Sequence, residues 1–244
     1  GRVRAYKNLT KHKVDALIVI GGDGSFTGGL IFQNEFNFPV MGIPGTIDND
    51  LYGTSHTLGY DTALNTVMEA IDKIRDTAIS HDRLFFVEVM GRDAGHIALN
   101  SGIAIGAQEI LIPEENVGLE ELIDSLKKSK KAGKTSSIVV VSEGDRTGEN
   151  VFELAKSVEK EFPNYEIRVS VLGHMQRGGS PSCFDRVLAS RMGVKAVESL
   201  LKGDSGKMIG YDNGNIKLTP LATAIKGKTK IDPELIKVSQ IMNT

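Results

Sequence analysis

Six short apolar segments, separated by longer amphipathic ones, constrain the fold of this 244-residue chain more than any other feature. Several of them are rich in Val and Ile, and they lie at residues 16–20, 38–43, 84–90, 109–112, 137–141 and 169–172. Short runs of this kind are typical of buried parallel strands. The stretches between them carry apolar residues at helical spacing, as in Leu64, Val67, Met68 and Ile71. Strands and helices therefore alternate, which predicts an α/β fold with mostly parallel sheets.

The composition is that of an ordinary globular protein. The formal net charge is −2, so nothing global favours binding to nucleic acid or to an anionic membrane. No apolar run approaches the length of a transmembrane helix. Cys183 is the only cysteine, which excludes an intrachain disulfide and favours a reducing compartment. We therefore expect a cytoplasmic protein.

The first strand is followed by the loop GGDGS at residues 21–25, which has the features of a phosphate-binding loop. Its glycines let backbone N–H groups approach phosphate oxygens, and the following helix offers its positive N-terminal end. Asp23 is then placed to hold Mg²⁺, which prefers carboxylate and phosphate oxygens. No Lys-Ser/Thr follows, so the loop is not a P-loop. By itself it is explained about as well by a plain tight turn.

The second strand is followed by PGTIDND at residues 44–50, which places Asp48 and Asp50 two residues apart. A kinase needs a carboxylate that accepts the proton of the attacking hydroxyl. Asp48 is the candidate base, and Thr46 is the candidate for a hydrogen bond to the acceptor sugar or to a phosphate. In isolation an Asx turn explains Asp-Asn-Asp better. Because GGDGS precedes it by one strand–helix–strand unit, we interpret the two loops as two walls of a phosphoryl-transfer site.

Three later strands also end in glycine or in polar, chargeable groups. The third is followed by Arg92, the fifth by Glu143 and the sixth by GHMQRGGSP, which contains His174 and Arg177. In open parallel sheets, ligands bind beyond the carboxyl ends of the strands. His and Arg suit a sugar phosphate, and Glu accepts hydrogen bonds from sugar hydroxyls. Taken singly, each of these residues is also explained by a solvated loop.

Arg83 and Arg168 do not fit this geometry, because each precedes its predicted strand and so lies at the amino edge of the sheet. A seven-residue strand such as 84–90 spans roughly 20 Å. Neither arginine comfortably reaches a site at the carboxyl edge of its own sheet. They are either surface charges or residues that complete a site on a neighbouring subunit of a closed oligomer.

Five motifs together resemble the bacterial-type 6-phosphofructokinases, and they are IGGDGS, PGTIDND, the MGR of residues 90–92, the SEG of residues 142–144 and GHMQRGGSP. They occur in the family's order, from about Leu17 to the last residues. The resemblance implies transfer of the γ-phosphate of ATP to the 1-hydroxyl of fructose 6-phosphate, with Mg²⁺, in glycolysis. It implies that Asp48 is the proton acceptor, acting with Thr46 and Arg92. It also implies that Asp23 is the magnesium-associated carboxylate.

The resemblance also assigns the residues that bind ligands. The nucleotide is expected on Gly22, Asp23, Gly24 and Ser25. Fructose 6-phosphate is expected on Thr46, Ile47, Asp48, Asp50, Met90, Gly91, Arg92, Glu143, His174, Met175, Gln176 and Arg177. Arg83 and Arg168 match the two arginines that this family lends to the adjacent subunit. A homotetramer with shared sites is therefore expected.

Gly24 and Gly45 favour ATP over pyrophosphate as the phosphoryl donor, because pyrophosphate-using relatives typically carry Asp and Lys at these positions. A carboxylate at position 24 would crowd and repel the α-phosphate region of ATP. A pyrophosphate-dependent enzyme is the alternative, as is a catalytically incompetent fragment that only binds. A lipid or NAD kinase would also carry a GGDG-type loop, but PGTIDND and GHMQRGGSP argue against it.

The resemblance further implies effector control and a phosphofructokinase-like fold with two similar three-layer α/β/α domains. Arg75, Glu109 and Lys134 match a site for ADP and phosphoenolpyruvate, although ordinary dipole and surface roles explain Arg75 and Lys134 as well. The nucleotide-binding domain is predicted at 1–60 plus 172–222, and the fructose 6-phosphate and effector domain at 61–171 plus 223–244. The family opens with a strand and a further ATP-contacting loop that are not found before Gly1. We therefore expect an incomplete first domain, which leaves open whether this chain alone is active.

Overall fold

The computed structural model describes residues 1–78, 83–115, 117–131, 138–144, 150–162, 166–227 and 229–242. Within these ranges the strands are β1 Leu17–Gly21, β2 Val40–Pro44, β3 Arg83–Val89, β4 Glu109–Leu111, β5 Ile138–Ser142, β6 Glu166–Val171, β7 Lys207–Asp212 and β8 Asn215–Pro220. The helices are α1 Arg2–Lys11, α2 Asp23–Phe36, α3 Tyr60–Ala78, α4 His96–Ala104, α5 Leu119–Lys131, α6 Val151–Glu161, α7 Cys183–Leu201, α8 Leu221–Lys226 and α9 Pro233–Met242, with a 3₁₀ helix at Gly173–Arg177. The predicted alternation of strands and helices is confirmed.

The chain divides into two compact units. Unit 1 comprises Gly1–Asp61 and Pro181–Thr229, and unit 2 comprises Thr62–Ser180 and Lys230–Thr244. The sheet of unit 1 has the order β1-β2-β7-β8, in which only β7 and β8 pair antiparallel. The sheet of unit 2 has the order β4-β5-β3-β6 and is parallel throughout. Both sheets agree with the predicted fold class.

Strand β2 shows why unit 1 has three layers. Successive side chains of a strand point to opposite faces of the sheet. Val40 joins an apolar cluster with residues of α2 and α8, whereas Met41 joins a separate cluster with residues of α7. Both side chains are fully buried. The sheet of unit 1 is therefore covered by helices on both faces.

Strand β5 is buried on both faces in the same way in unit 2. Val139 and Val141 belong to a cluster that contains apolar residues of α5 and α6. Ile138 and Val140, which point the other way, are also 0% exposed. Helix α4 packs against β4 and β5. The continuous Val and Ile run of this segment is thus explained by burial on both sides.

The unit boundaries lie later in the chain than the predicted ones at all three crossings, by one residue at the first and by more at the other two. The second crossing follows Ser180 rather than residue 171, because Leu172 N and the Gln176 side chain are hydrogen-bonded within unit 2. The third follows Thr229 rather than residue 222, because α8 packs on α2. The assignment of nucleotide and sugar to separate units stays a prediction.

The hairpin of β7 and β8 was not among the predicted strands. Its turn carries Asn213 and Gly214 at φ of +48° and +82°, which is the left-handed backbone that tight hairpin turns require. The Asn-Gly pair was therefore the signal for it. Within the described ranges, no helix is both long and apolar enough to cross a membrane.

Candidate active-site residues

The loops GGDGS and PGTIDND lie side by side in unit 1. Strands β1 and β2 pair in parallel register, with Gly21 opposite Pro44 at their carboxyl ends. The N–H of Gly45 donates to the carbonyl of Gly21 at 3.0 Å. The two strands therefore stop together, and the loops that follow them start from adjacent points of one sheet edge.

The GGDGS loop leads directly into α2, which begins at Asp23 without a side-chain cap. A Cβ on Gly21 would overlap the side chain of Ser25, so this tight entry requires glycine. A Cβ on Gly24 would meet no atom within 4 Å. Asp23, Gly24 and Ser25 are exposed at the helix N-terminus, where backbone N–H groups and the helix dipole favour an anion.

The PGTIDND loop buries its candidate base. Asp48 is 3% exposed, and its N–H donates to Thr46 Oγ1 at 3.3 Å. Ile47 is also buried, whereas Thr46 and Asp50 are half-buried. The hydrogen bonds described for this segment begin with Asn49. The side chain of Asn49 is hydrogen-bonded to the backbone of residues 55 and 57, further along the chain.

The turn after β3 in unit 2 is held by Glu143. Its Oε1 accepts from the N–H of Arg92 at 2.7 Å and from that of Gly91 at 3.3 Å. Gly91 and Arg92 have φ of +151° and +55°, so the carboxylate stabilises an uncommon backbone conformation. A Cβ on Gly144 would overlap the carbonyl oxygen of Arg92. Burial, followed by the neighbouring Glu143 carboxylate, raises the pKa of Glu88.

The segment after β6 presents charged side chains at the same strand edge as the turn after β3, because β3 and β6 pair in parallel. His174, Met175 and Arg177 are exposed on the 3₁₀ helix. Gln176 is 1% exposed instead. Its Oε1 accepts from the N–H of Met90 at 3.1 Å, and its Nε2 donates to Gly173 O at 3.0 Å. Gln176 thus ties the two loops together, and its predicted contact with the sugar stays a prediction.

A phosphofructokinase family model matches residues 1–200 of the chain. The chain belongs to the phosphofructokinase family. It is 50% identical over 238 residues to ATP-dependent 6-phosphofructokinase 2 of Bacteroides thetaiotaomicron, covering 98% of this chain and 73% of that relative. It is 51% identical over 242 residues to ATP-dependent 6-phosphofructokinase 1 of Thermus thermophilus, covering 99% of this chain and 74% of that relative.

The solved structure of phosphofructokinase from Saccharomyces cerevisiae is similar to the chain, with a TM-score of 0.86 and 32% identity. The match covers 99% of this chain and 35% of the yeast chain. The predicted family and the phosphofructokinase-like fold are thereby confirmed. Membership of this family also decides against the lipid or NAD kinase.

Arg83 and Arg168 share a carboxylate in this phosphofructokinase fold. Arg83 Nε lies 2.5 Å from Glu166 Oε2, and Arg168 is paired with the other oxygen of the same side chain. Arg83 lies at the amino edge as predicted, but it is the first residue of β3 rather than the residue before that strand. The prediction that Arg168 precedes its strand is wrong, because β6 begins at Glu166 and Arg168 is its third residue.

Two of the three predicted effector residues fall within the described ranges. Arg75 of α3 is half-buried and donates to the carbonyl of Ile105. Glu109 accepts from Ser125 Oγ and lines a cavity of about 760 Å³ with four more carboxylates, Glu115, Glu120, Glu121 and Asp124. Lys134 lies outside the described residues. The effector site stays a prediction.

In the described part of the chain, no group of three or more His, Cys, Asp or Glu side chains is arranged to hold a metal ion. Asp23 is instead an exposed carboxylate at the start of α2, in the loop GGDGS. Mg²⁺ is characteristically held by one or two carboxylates together with substrate phosphates and water. The donor set therefore fits a magnesium ion that arrives with a nucleotide.

Sequence reasoning passed over two residues of this region, Asn49 and Thr57. Asn49 has φ of +54°, and Asn between two Asp residues was a usable signal for such a backbone. Thr57 follows it by eight residues, and no sequence pattern pointed to their contact.

Proposed function

We propose that the chain carries the catalytic residues of an ATP-dependent 6-phosphofructokinase of glycolysis. The reaction transfers the γ-phosphate of ATP to the 1-hydroxyl of fructose 6-phosphate and yields fructose 1,6-bisphosphate and ADP. The observation that carries this proposal is the identity of about half of all residues, across nearly the whole chain, with two relatives named for that activity.

We assign proton acceptance to Asp48. As the sugar O1 attacks the γ-phosphorus, the bond to the bridging oxygen of ADP breaks and the hydroxyl proton passes to the carboxylate. The adjacent start of the two loops supports this role, because it brings the carboxylate-bearing loop beside the anion-favouring end of α2. A positioned base contributes about 10²- to 10⁴-fold to such reactions.

We assign the nucleotide phosphates to residues 22–25 and a magnesium ion to Asp23. When bound, Mg²⁺ would neutralise charge on the phosphate oxygens. The uncapped N–H groups at the start of α2 support phosphate binding, and the exposed carboxylate supports the metal.

We assign the acceptor sugar phosphate to residues of unit 2. His174 and Arg177 present exposed donors at one strand edge, and Arg92 is exposed on the turn that Glu143 holds. One carboxylate oxygen of Glu143 accepts hydrogen bonds from two backbone N–H groups of this turn, which supports a role for Glu143 in shaping it. We assign its second oxygen to a hydroxyl of the sugar. Arg83 and Arg168 are assigned to the sugar phosphate of an adjacent subunit in a homotetramer.

Open space at position 24 supports ATP rather than pyrophosphate as donor. Any side chain there would project from the first turn of α2, next to the proposed phosphate site. Gly45, in contrast, is closely packed, since a Cβ there would lie 2.9 Å from the side chain of Ile20. We further propose a cytoplasmic enzyme that responds to ADP or phosphoenolpyruvate through Arg75, Glu109 and Lys134.

The test is an assay of the natural full-length polypeptide with fructose 6-phosphate and either ATP or pyrophosphate. We expect turnover with ATP, loss of about 10²- to 10⁴-fold in kcat for Asp48→Asn, and little change for Asp212→Asn. Asp212 is a matched control, because its carboxylate pairs with Lys217 in the β7–β8 hairpin. Turnover with pyrophosphate alone would refute the choice of donor, and full activity of Asp48→Asn would refute the assigned base.

A further inference from the structure

We infer that Thr57 and Asn49 are positioning residues that hold the base Asp48 in its reactive orientation, an inference that rests on the proposed function. Asp48 lies in a loop, and loops owe their conformation to specific hydrogen bonds rather than to a ladder of strand or helix contacts. The residues that supply those bonds therefore decide where the carboxylate stands.

Thr57 is fully buried and binds the loop on both sides of Asp48. Its Oγ1 lies 2.5 Å from the carbonyl oxygen of Thr46, two residues before the base. Its N–H donates to Asn49 Oδ1 at 2.9 Å, one residue after the base. Thr57 Oγ1 is also 3.2 Å from Asn49 Oδ1, but the single hydroxyl hydrogen favours the shorter contact with Thr46. One side chain and one backbone group thus fix both flanks of Asp48.

Asn49 completes the arrangement with both ends of its amide. Its Oδ1 accepts from Thr57, and its Nδ2 donates to the carbonyl oxygen of Ser55 at 3.0 Å. The residue is buried at 7% exposure and has φ of +54°, a conformation that Asn tolerates better than most residues. The backbone reversal and the side-chain bridge are therefore provided by the same residue, directly beside the base.

The segment that holds the loop is itself anchored to the sheet of unit 1. The N–H of Ser55 donates to Tyr211 O of β7 at 2.7 Å, and the N–H of Leu58 donates to Pro44 O of β2 at 2.8 Å. Residues 55–58 therefore hold the loop at a fixed position relative to strands β2 and β7. Displacement of a catalytic group by about 1 Å lowers turnover by about 10²-fold, so such support has a large effect on kcat.

The experiment measures kcat and both KM values for Thr57→Val and Thr57→Ser in the natural full-length polypeptide. Valine has nearly the shape of threonine but no hydroxyl, whereas serine keeps the hydroxyl. We expect Thr57→Val to lower kcat about 10- to 100-fold with each KM within about threefold, and Thr57→Ser to restore kcat to within about threefold. Asn49→Gly keeps the left-handed backbone but removes the hydrogen bonds of the side-chain amide. If Thr57→Val does not fold, Asn49→Gly should show the same lowered kcat with nearly unchanged KM values.

A double-variant cycle separates positioning from general destabilisation. If Thr57 acts through the base, Thr57→Val lowers kcat in the wild-type background but not further in Asp48→Asn. Met192 is a fully buried residue of α7, and Met192→Ala creates a cavity in the core. This variant should lower the unfolding midpoint and leave kcat unchanged. Equal losses in both backgrounds, or a Thr57→Val enzyme with wild-type kcat, overturn the inference while the proposed function stands. A wild type that does not phosphorylate fructose 6-phosphate overturns both.

Discussion

At the scale of single residues, Gly24 is where the choice of donor can be tested without disturbing the fold. Its Cβ position is open, and an acidic side chain in the first turn of α2 is favourable toward the helix dipole. We expect Gly24→Asp to fold normally and to lower kcat/KM for ATP about 10- to 100-fold, through repulsion of the nucleotide phosphates. Steady-state kinetics with varied ATP provide the measurement.

Gly24→Ala is the matched control, because it adds a Cβ without charge. It should keep kcat/KM for ATP within about threefold of wild type, since nothing lies within 4 Å of that Cβ. An alanine variant as impaired as the aspartate variant would show that space, rather than charge, decides at this position.

His96, the first residue of α4, should make stability depend on pH. Burial lowers its pKa below the ordinary value of 6.5, so the unfolded chain binds more protons near pH 6 than the folded chain does. The contribution of neutral His96 to the free energy of unfolding is complete above about pH 6.5. It is lost as the pH falls toward the pKa of His96 in the folded protein. Burial lowers the pKa of His56 as well, against the opposing effect of Asp61 and Asp185.

We therefore expect the urea concentration at the unfolding midpoint to decrease as the pH is lowered from 7.5 to 5.5. The decrease should be smaller in His96→Gln than in the wild type. His12→Gln is the control, because His12 is exposed after α1 and should leave the slope of the wild type unchanged. An unaltered slope in His96→Gln would contradict the assignment.

The residues of the candidate site differ in how far the sequence could reveal them. The positions of Asp23, Asp48 and His174 beyond the carboxyl ends of strands were predictable, because each follows an apolar run of the sequence. The double contact of Gln176 was not, since a neutral amide in a loop carries no chemical signature. The pairing of Arg83 and Arg168 through Glu166 depends on strand register, which sequence patterns leave unspecified.

At the scale of elements, we expect substitution by alanine to have opposite effects on stability at two glycines. Gly193 lies inside α7, and a Cβ there would meet no atom within 4 Å. Gly214 lies in the β7–β8 turn at φ of +82°, where a Cβ is strained. We expect Gly193→Ala to raise the free energy of unfolding by about 0.5–1 kcal/mol and Gly214→Ala to lower it by about 1 kcal/mol. Urea unfolding at pH 7.5 measures both.

These two variants act as controls for each other, because the chemical change is identical. Neither lies in a predicted site, so kcat should stay within about twofold of wild type in both. Stabilisation by Gly214→Ala would show that the turn does not depend on its left-handed backbone.

The elements that the sequence predicted well are those with strong apolar patterns. Strands β2 and β5 were found because burial on both faces leaves a continuous apolar run. β8 was missed because its sequence, NIKLTP, has only two apolar side chains, both half-buried, and its one buried side chain is the polar Thr219. β6 was shortened at its start because Glu166 and Arg168 are polar, although both pair with β3.

At the scale of the whole molecule, the position of Arg83 predicts that active sites are shared between subunits. Arg83 is the first residue of β3, and the turn that carries Arg92 follows the other end of that strand. A strand of seven residues separates its ends by roughly 20 Å. Glu166 pairs with both Arg83 and Arg168, so one carboxylate orients two guanidinium groups and does not neutralise both of them.

Subunit exchange between two inactive variants tests this prediction. In an equal mixture of Asp48→Ala and Arg83→Ala subunits, a site built from two chains finds both wild-type residues about a quarter of the time. We therefore expect recovery of about a quarter of the wild-type activity after dissociation and reassembly. A site built from one chain recovers none, because every subunit carries a defect. Mixing Asp48→Ala with Thr46→Val is the matched control, since both changes lie on one loop and no combination of subunits restores it. Equal recovery in the two mixtures would mean that reassembly, rather than sharing of Arg83, accounts for the gain.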